Sequence, residues 1–141
     1  MKAKEYLLQL QKMDMIIDQN IAWLSELKKI KGDLKATDYT KEKVKSSKSN
    51  NADFENIIIK IIDMEHDIND KIDNFVDRKQ QVMKQIQSLD NYKYMQVLYK
   101  RYVEYKRLEV IAVEMHYTYQ HIKRIHIAAL KKFESCYPML P

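Results

Sequence analysis

The sequence predicts an all-α chain. A long, antiparallel, coiled-coil-like helical hairpin over about residues 1–89 precedes a C-terminal helix-turn-helix module over 90–141. Three observations lead there. The 141 residues include one Gly and two Pro, and both prolines (Pro138 and Pro141) stand at the very end, so repeated tight turns between strands are excluded. Gln, Lys, Glu, Leu and Met, all good helix formers, are abundant. Apolar residues recur at steps of three, four and seven over most of the length.

The first helix is expected from about Lys4 to Lys31. Leu7, Leu10, Ile17, Ile21 and Leu24 make one apolar stripe, and Met13, Ile16, Trp23, Leu27 and Ile30 make a second beside it. So wide an apolar face calls for more than one neighbour. Gly32 is placed to end this helix as its C′ residue. Residues 33–51 are polar, Lys- and Ser-rich, and read as a linker.

The second helix is expected from about Ala52 to Leu89, with Asn51 or Asp53 near its N-cap. Ile61, Ile68, Phe75, Val82 and Leu89 repeat every seven residues. Ile58, Ile72 and Ile86 occupy a companion register that Glu65 and Lys79 interrupt. At 1.5 Å per residue such a helix extends roughly 55 Å and needs a long partner: the first helix, a second copy of the chain, or both. A homodimer through the long N-terminal helices is therefore expected as one arrangement.

The formal net charge is +5 and is unevenly placed. Residues 1–89 hold 16 Lys/Arg against 15 Asp/Glu; residues 90–141 hold 9 against 5. The stretch 118–133 contains Lys123, Arg124, Lys131 and Lys132 and no acid, which suits either a polyanion-binding surface or a solvated basic face. The single cysteine, Cys136, excludes an internal disulfide and a cysteine-based zinc site. The opening MKAKEYLLQLQKMDM is too charged for a signal peptide, and no apolar run approaches the roughly 18 residues of a membrane span. A cytoplasmic, non-membrane protein is expected.

From Asp90 the pattern changes. Asp90 is placed to cap a helix over Asn91–Tyr102 that buries Met95, Leu98 and Tyr102. In 106–133, a small residue (Ala112) stands where a second helix must cross closely. Leu108, Ile111, Met115, Ile122 and Ile125 are spaced to close the inner faces. The turn is His116-Tyr117, and Thr118 is placed to cap the second helix. His116 stands where a turn of this kind needs φ > 0, a conformation usually given to Gly. Tyr119, Gln120, Lys123 and Arg124 then share the face opposite Ile122 and Ile125.

The segments Tyr99-Lys-Arg-Tyr102, Leu108-Glu-Val-Ile-Ala112, Tyr117-Thr-Tyr-Gln-His-Ile-Lys-Arg-Ile-His126 and Ala129-Leu-Lys-Lys-Phe133 resemble sigma-factor region four. They look closest to the small sigma-like regulators, including late-gene activators, encoded by phages and prophages of Gram-positive bacteria. The resemblance covers roughly residues 90–134, and His116 departs from the family's usual Gly. It implies sequence-specific binding of double-stranded DNA in transcription control, contact with RNA polymerase, and a nucleoid-associated place in the bacterial cytoplasm. It implies a reading face made of Tyr119, Gln120, Lys123 and Arg124, with Thr118 and His121 at the start of the same helix. Arg124 is the candidate for a bidentate guanine contact and Gln120 for adenine. Lys123, with Lys100, Arg101 and Lys131, would hold phosphates.

Two alternatives stay open: a helical factor that binds polymerase or a host protein with little DNA contact, and a DNA-binding subunit of phage packaging. No enzyme chemistry, metal or cofactor is expected. His116, His121 and His126 recur at five-residue spacing rather than the i, i+4 of helical metal pairs. Glu109 and Glu114, like Asp63, Glu65 and Asp67, read as surface charges. Eight of the ten tyrosines follow residue 90, at spacings that suit packing more than a stacking platform for single strands.

Overall fold

In a computed structural model the chain is described over residues 2–40 and 47–140, with side chains described outside 36–50. All regular structure among the described residues is helical, and none of it is strand. The helices are α1 (Lys2–Thr40), α2 (Ser47–Gln87), α3 (Tyr92–Leu98), α4 (Leu108–Met115) and α5 (Tyr119–Cys136). A single π-helical turn, Tyr99–Val103, continues α3.

Three expected boundaries change. Gly32 does not end α1: its φ is not positive, and the helix runs on to Thr40. The reason is visible in the side chains, since Leu34 stands seven residues after buried Leu27 and is half-buried, so the inner stripe continues past the glycine. The linker expected at 33–51 is helical at 33–40 and 47–51, while 41–46 lie outside the described residues. Asn51 and Asp53 are accordingly inside α2 rather than at its cap. At α3 the cap is Asn91, not Asp90: the Asn91 carboxamide oxygen accepts from the Tyr94 N–H at 3.2 Å.

The chain divides into two compact units, one of Met15–Asp73 and one of Met1–Asp14 with Asn74–Pro141. In the first, α1 buries Ile17 and Leu27, and α2 buries Ile61 and Ile68. These positions, with half-buried Asn20, Leu24, Ile57 and Met64, step by three and four, which is seam spacing. Lys28 Nζ reaches Glu65 at 4.0 Å from one helix to the other. The second apolar stripe of α1 does not close: Ile16, Trp23 and Ile30 stay exposed, as does Ile21 from the first stripe. On α2 the companion register also turns outward here, since Ile58 is only half-buried and Ile72 is exposed. A buried amide nitrogen, Asn20 Nδ2, has no hydrogen-bond partner among the described residues.

In the other unit the start of α1 runs antiparallel to the end of α2. Tyr6 donates to Gln85 at 2.8 Å, and Arg78 donates to Gln9 at 2.8 Å. One core gathers Leu7 and Leu10 of α1, Val82 and Ile86 of α2, Leu89, then Leu98, Tyr102 and Val103, and finally Ala129, Leu130 and Phe133 of α5. The π turn explains how Tyr102 and Val103 both enter it. Glu104 N–H bonds back to Tyr99 C=O, five residues earlier, so Val103 comes round to the side of Leu98 while Tyr102 remains inward. A smaller core joins Val97 of α3, Ile111 and Ala112 of α4, and Ile122 and Ile125 of α5. Leu98 and Tyr102 are thus buried as expected, and Met95 is half-buried. Residues 90–141 share their main core with Ala3–Leu10 and Val82–Leu89.

Candidate nucleic-acid interface

The connection from α4 to α5 is fixed by backbone geometry at two residues. His116 caps α4 in the left-handed conformation, φ 60° and ψ 39°. Its N–H bonds to Val113 C=O at 3.3 Å, and the Tyr117 N–H reaches Ala112 C=O at 2.9 Å, so two of the carbonyls in the last turn of α4 are satisfied. A residue with a Cβ carries a steric cost of about 1 kcal/mol or more in that conformation, which His bears here. Thr118 is extended, and its hydroxyl accepts from the His121 N–H at 3.1 Å, capping α5.

Between cap and turn, Tyr117 folds back on the smaller core, and the His121 ring meets it edge-on with centroids 4.8 Å apart. His121 is therefore half-buried packing at the base of α5, unlike exposed Tyr119 and Gln120 before it. Behind the helix, Ile122, Ile125, His126, Ala129, Leu130 and Phe133 are buried. The α4 side closes with Ile111 and Ala112, at whose small side chain α5 can pass closely, while Leu108 and Met115 are half-buried at the rim.

Among the described residues, His126 is the one polar residue in the buried set. Tyr102 OH and His126 Nε2 lie 2.7 Å apart, with the rings stacked at 5.6 Å. Burial, helped by nearby Arg101 and Lys4, pushes the imidazole pKa down to about 4. Burial pushes the Tyr102 phenol up to about 12, against the lowering pull of Arg101. At neutral pH both are uncharged, and the hydrogen bond between them satisfies the pair, its donor set by the imidazole tautomer. The core beneath α5 contains a satisfied polar pair and no buried charge.

The outward face of α5 carries Tyr119, Gln120, Lys123 and Arg124, all exposed. Lys123 Nζ rests 5.1 Å from the Tyr119 ring centroid, a contact that orients the ammonium without neutralising it. At helical spacing the same side continues through Ile127 to Lys131. Among the described residues, Lys123, Arg124, Lys131 and Lys132 form no ion pair.

The weaker phosphate candidates are placed differently. Lys100 Nζ is 2.8 Å from Glu114, and Lys106 Nζ is 2.9 Å from the other oxygen of the same carboxylate. Hydrogen bonds from Lys100 and then Lys106 hold the Glu114 carboxyl below the usual range, and the bond to Glu114 raises Lys106. Glu114 thus ties the π turn to α4 and occupies the Lys100 charge. Arg101 lies over the Tyr102 ring at 5.4 Å and, with Lys4 and Arg107, lines a shallow pocket of about 230 Å³. Arg107, largely exposed before α4, and Lys93, 5.4 Å from the Tyr117 ring centroid, are two further cations beside this region. Their signal in the sequence is position alone: Arg107 immediately precedes α4, and Lys93 stands in the first turn of α3.

Among the described residues no group of His, Cys, Asp and Glu is arranged to hold a metal ion, and no helix is long and apolar enough to cross a membrane. Compared with known protein families, curated proteins and solved structures, the chain matches none.

Proposed function

We propose that this chain is a sequence-specific DNA-binding transcription regulator of the sigma-region-four-like, phage or prophage type, acting with RNA polymerase. In this reading α4, the His116–Thr118 turn and α5 are a helix-turn-helix, and α5 enters the major groove. One observation carries it: the exposed face of α5 presents Gln120, Lys123 and Arg124 with no acidic partner, on a helix whose start is fixed by a left-handed turn and a threonine cap. A helix that offers a guanidinium, an amide and an ammonium to solvent, and buries only apolar groups and a neutral His–Tyr pair behind them, suits base-edge and phosphate contacts. Bacterial cytoplasm is the compartment this reading implies.

The roles divide by chemistry. Arg124 offers two parallel N–H groups to guanine O6 and N7, and Gln120 offers a donor and an acceptor to adenine. Lys123 and Lys131 contact phosphates, Tyr119 packs on a thymine methyl or reaches a phosphate, and Thr118 presents backbone amides at the helix start. Selection of bound duplexes from a random pool tests this. Arg124→Ala should cost about 1–3 kcal/mol and relax preference at one or two base pairs, whereas Lys123→Ala should weaken all duplexes alike. Loss of base preference in Lys123→Ala with none in Arg124→Ala overturns the assignment.

A second reading has specific support. Ile127 stands exposed within the basic face, and Val113 on α4 is 76 % exposed. Apolar side chains so placed suit a protein partner such as RNA polymerase. Ile127→Ser and Val113→Ser separate the two: they should leave duplex affinity within about twofold and weaken polymerase recruitment if the apolar residues serve the protein contact.

A further inference from the structure

The companion heptad register of α2 carries large apolar residues that the chain leaves uncovered. Ile58, Ile62, Glu65, Asn69, Ile72 and Val76 step by four and three residues and so share one face of a single α-helix. Ile62 is 48 % exposed and Ile72 37 %. Glu65 and Asn69 are exposed between them. The order of polarity along this stripe is symmetric: two apolar residues, two polar ones (an acid and an amide), two apolar residues.

We propose that this stripe of α2 pairs with the same stripe of a second copy of the chain, antiparallel, about a two-fold axis level with Asp67. In that register Ile62 meets the partner's Ile72, and Glu65 meets the partner's Asn69, whose amide donates to the carboxylate. Continued along α2, the same register sets Ile58 against the partner's Val76 and Glu55 against the partner's Lys79. Each contact occurs twice, as an isologous interface requires. The match selects the direction as well as the partner. Parallel pairing would set Glu65 against its own copy, with like charges in contact. Lys28, already 4.0 Å from Glu65, supplies a cation at the rim and lowers the cost of enclosing the carboxylate. The polar pair fixes register at some expense in stability, so the dimer is expected to exchange with monomer.

The other uncovered stripe, Ile16, Trp23 and Ile30 of α1, offers no such complement. Between its apolar residues stand Gln19 and Glu26, and no antiparallel register that pairs Ile16, Trp23 and Ile30 with one another sets Glu26 against a lysine. This inference does not depend on DNA binding.

Sedimentation equilibrium of the full chain over a concentration series is the test, with orientation read by cross-linking in a Cys136→Ser background. The chain should show a concentration-dependent dimer, and the doubly substituted I62K/I72K chain should remain monomeric with unchanged helical circular dichroism. Under oxidation, a mixture of I62C and I72C chains should give at least tenfold more covalent dimer than either alone. In the antiparallel register two thiols at position 62 are about 15 Å apart along the axis, beyond disulfide reach. The cysteine variants keep the test alive if I62K/I72K fails to fold. A monomer at every concentration, a dimer indifferent to I62K/I72K (as association through Trp23 would be), or efficient cross-linking of I62C alone overturns the proposal.

Discussion

His126 must stay neutral for the core behind α5 to close, and this ties stability to pH. Its pKa is about 4 when folded and near 6.5 when unfolded, so between those values the unfolded chain binds the extra proton. The stabilisation is complete above about pH 6.5 and is lost as pH falls toward 4, a loss on the order of 1–3 kcal/mol. Urea midpoints at pH 7 and pH 4.5, compared with His126→Gln, isolate it: the wild-type chain should lose more stability than the variant. An equal loss in both would place the acid sensitivity in the carboxylates alone. At His116 the left-handed backbone predicts the opposite kind of change. His116→Gly removes the Cβ penalty and should raise stability by a few tenths to about 1 kcal/mol, while His116→Val should lower it by more than 1 kcal/mol. The sequence showed the positive-φ requirement at this position, because His116 stands where a helix-turn-helix turn usually carries Gly. It did not show that His126 pairs with Tyr102: that contact is between residues 24 apart, and the π turn that presents Tyr102 has no pattern of its own in the sequence.

Among the elements, α5 was the most legible. Its buried positions, its Thr118 cap and its exposed polar residues all follow from helical spacing, and Thr118→Ala should cost about 1 kcal/mol of thermal stability through the lost cap. The long helices were less so. Composition made 33–51 read as a linker, but a helix needs only one supported stripe, and Leu27 with half-buried Leu34 supplies it past Gly32. Gly32 is therefore a helical residue with nothing within 4 Å of where a Cβ would stand. Gly32→Ala should stabilise α1 by about 0.5–1 kcal/mol, measured as a higher melting temperature. A drop on that substitution would show that the glycine is needed as a stop after all. Asn20, at a seam position with its Nδ2 buried and unpartnered, predicts a similar gain. Asn20→Leu should add about 1–2 kcal/mol unless the amide sets the register of α1 on α2. The second neighbour that the wide α1 face calls for is not found among the described residues, where Ile16, Trp23 and Ile30 stay exposed.

For the whole molecule, the decisive property is where charge is left uncompensated. Acids and bases nearly balance over residues 1–89, and much of the excess over 90–141 stands on α5, while Lys100 and Lys106 are held by Glu114. That distribution was readable from the sequence as a count but not as an assignment, since nothing in the spacing revealed that Glu114 claims two of the lysines. Glu114→Gln should release Lys100 and Lys106 and strengthen nonspecific duplex binding while leaving base preference unchanged. If α5 reads double-stranded DNA, its affinity for a selected duplex depends on salt and on Arg124, which a titration at several salt concentrations measures. With Lys123, Arg124, Lys131 and Lys132 available to phosphates, the logarithm of affinity should fall with the logarithm of salt at a slope of roughly −3 to −4. Arg124→Ala should cut affinity about tenfold or more at each concentration. Failure to bind any selected duplex, or an affinity indifferent to both salt and Arg124, would mean that α5 does not read DNA.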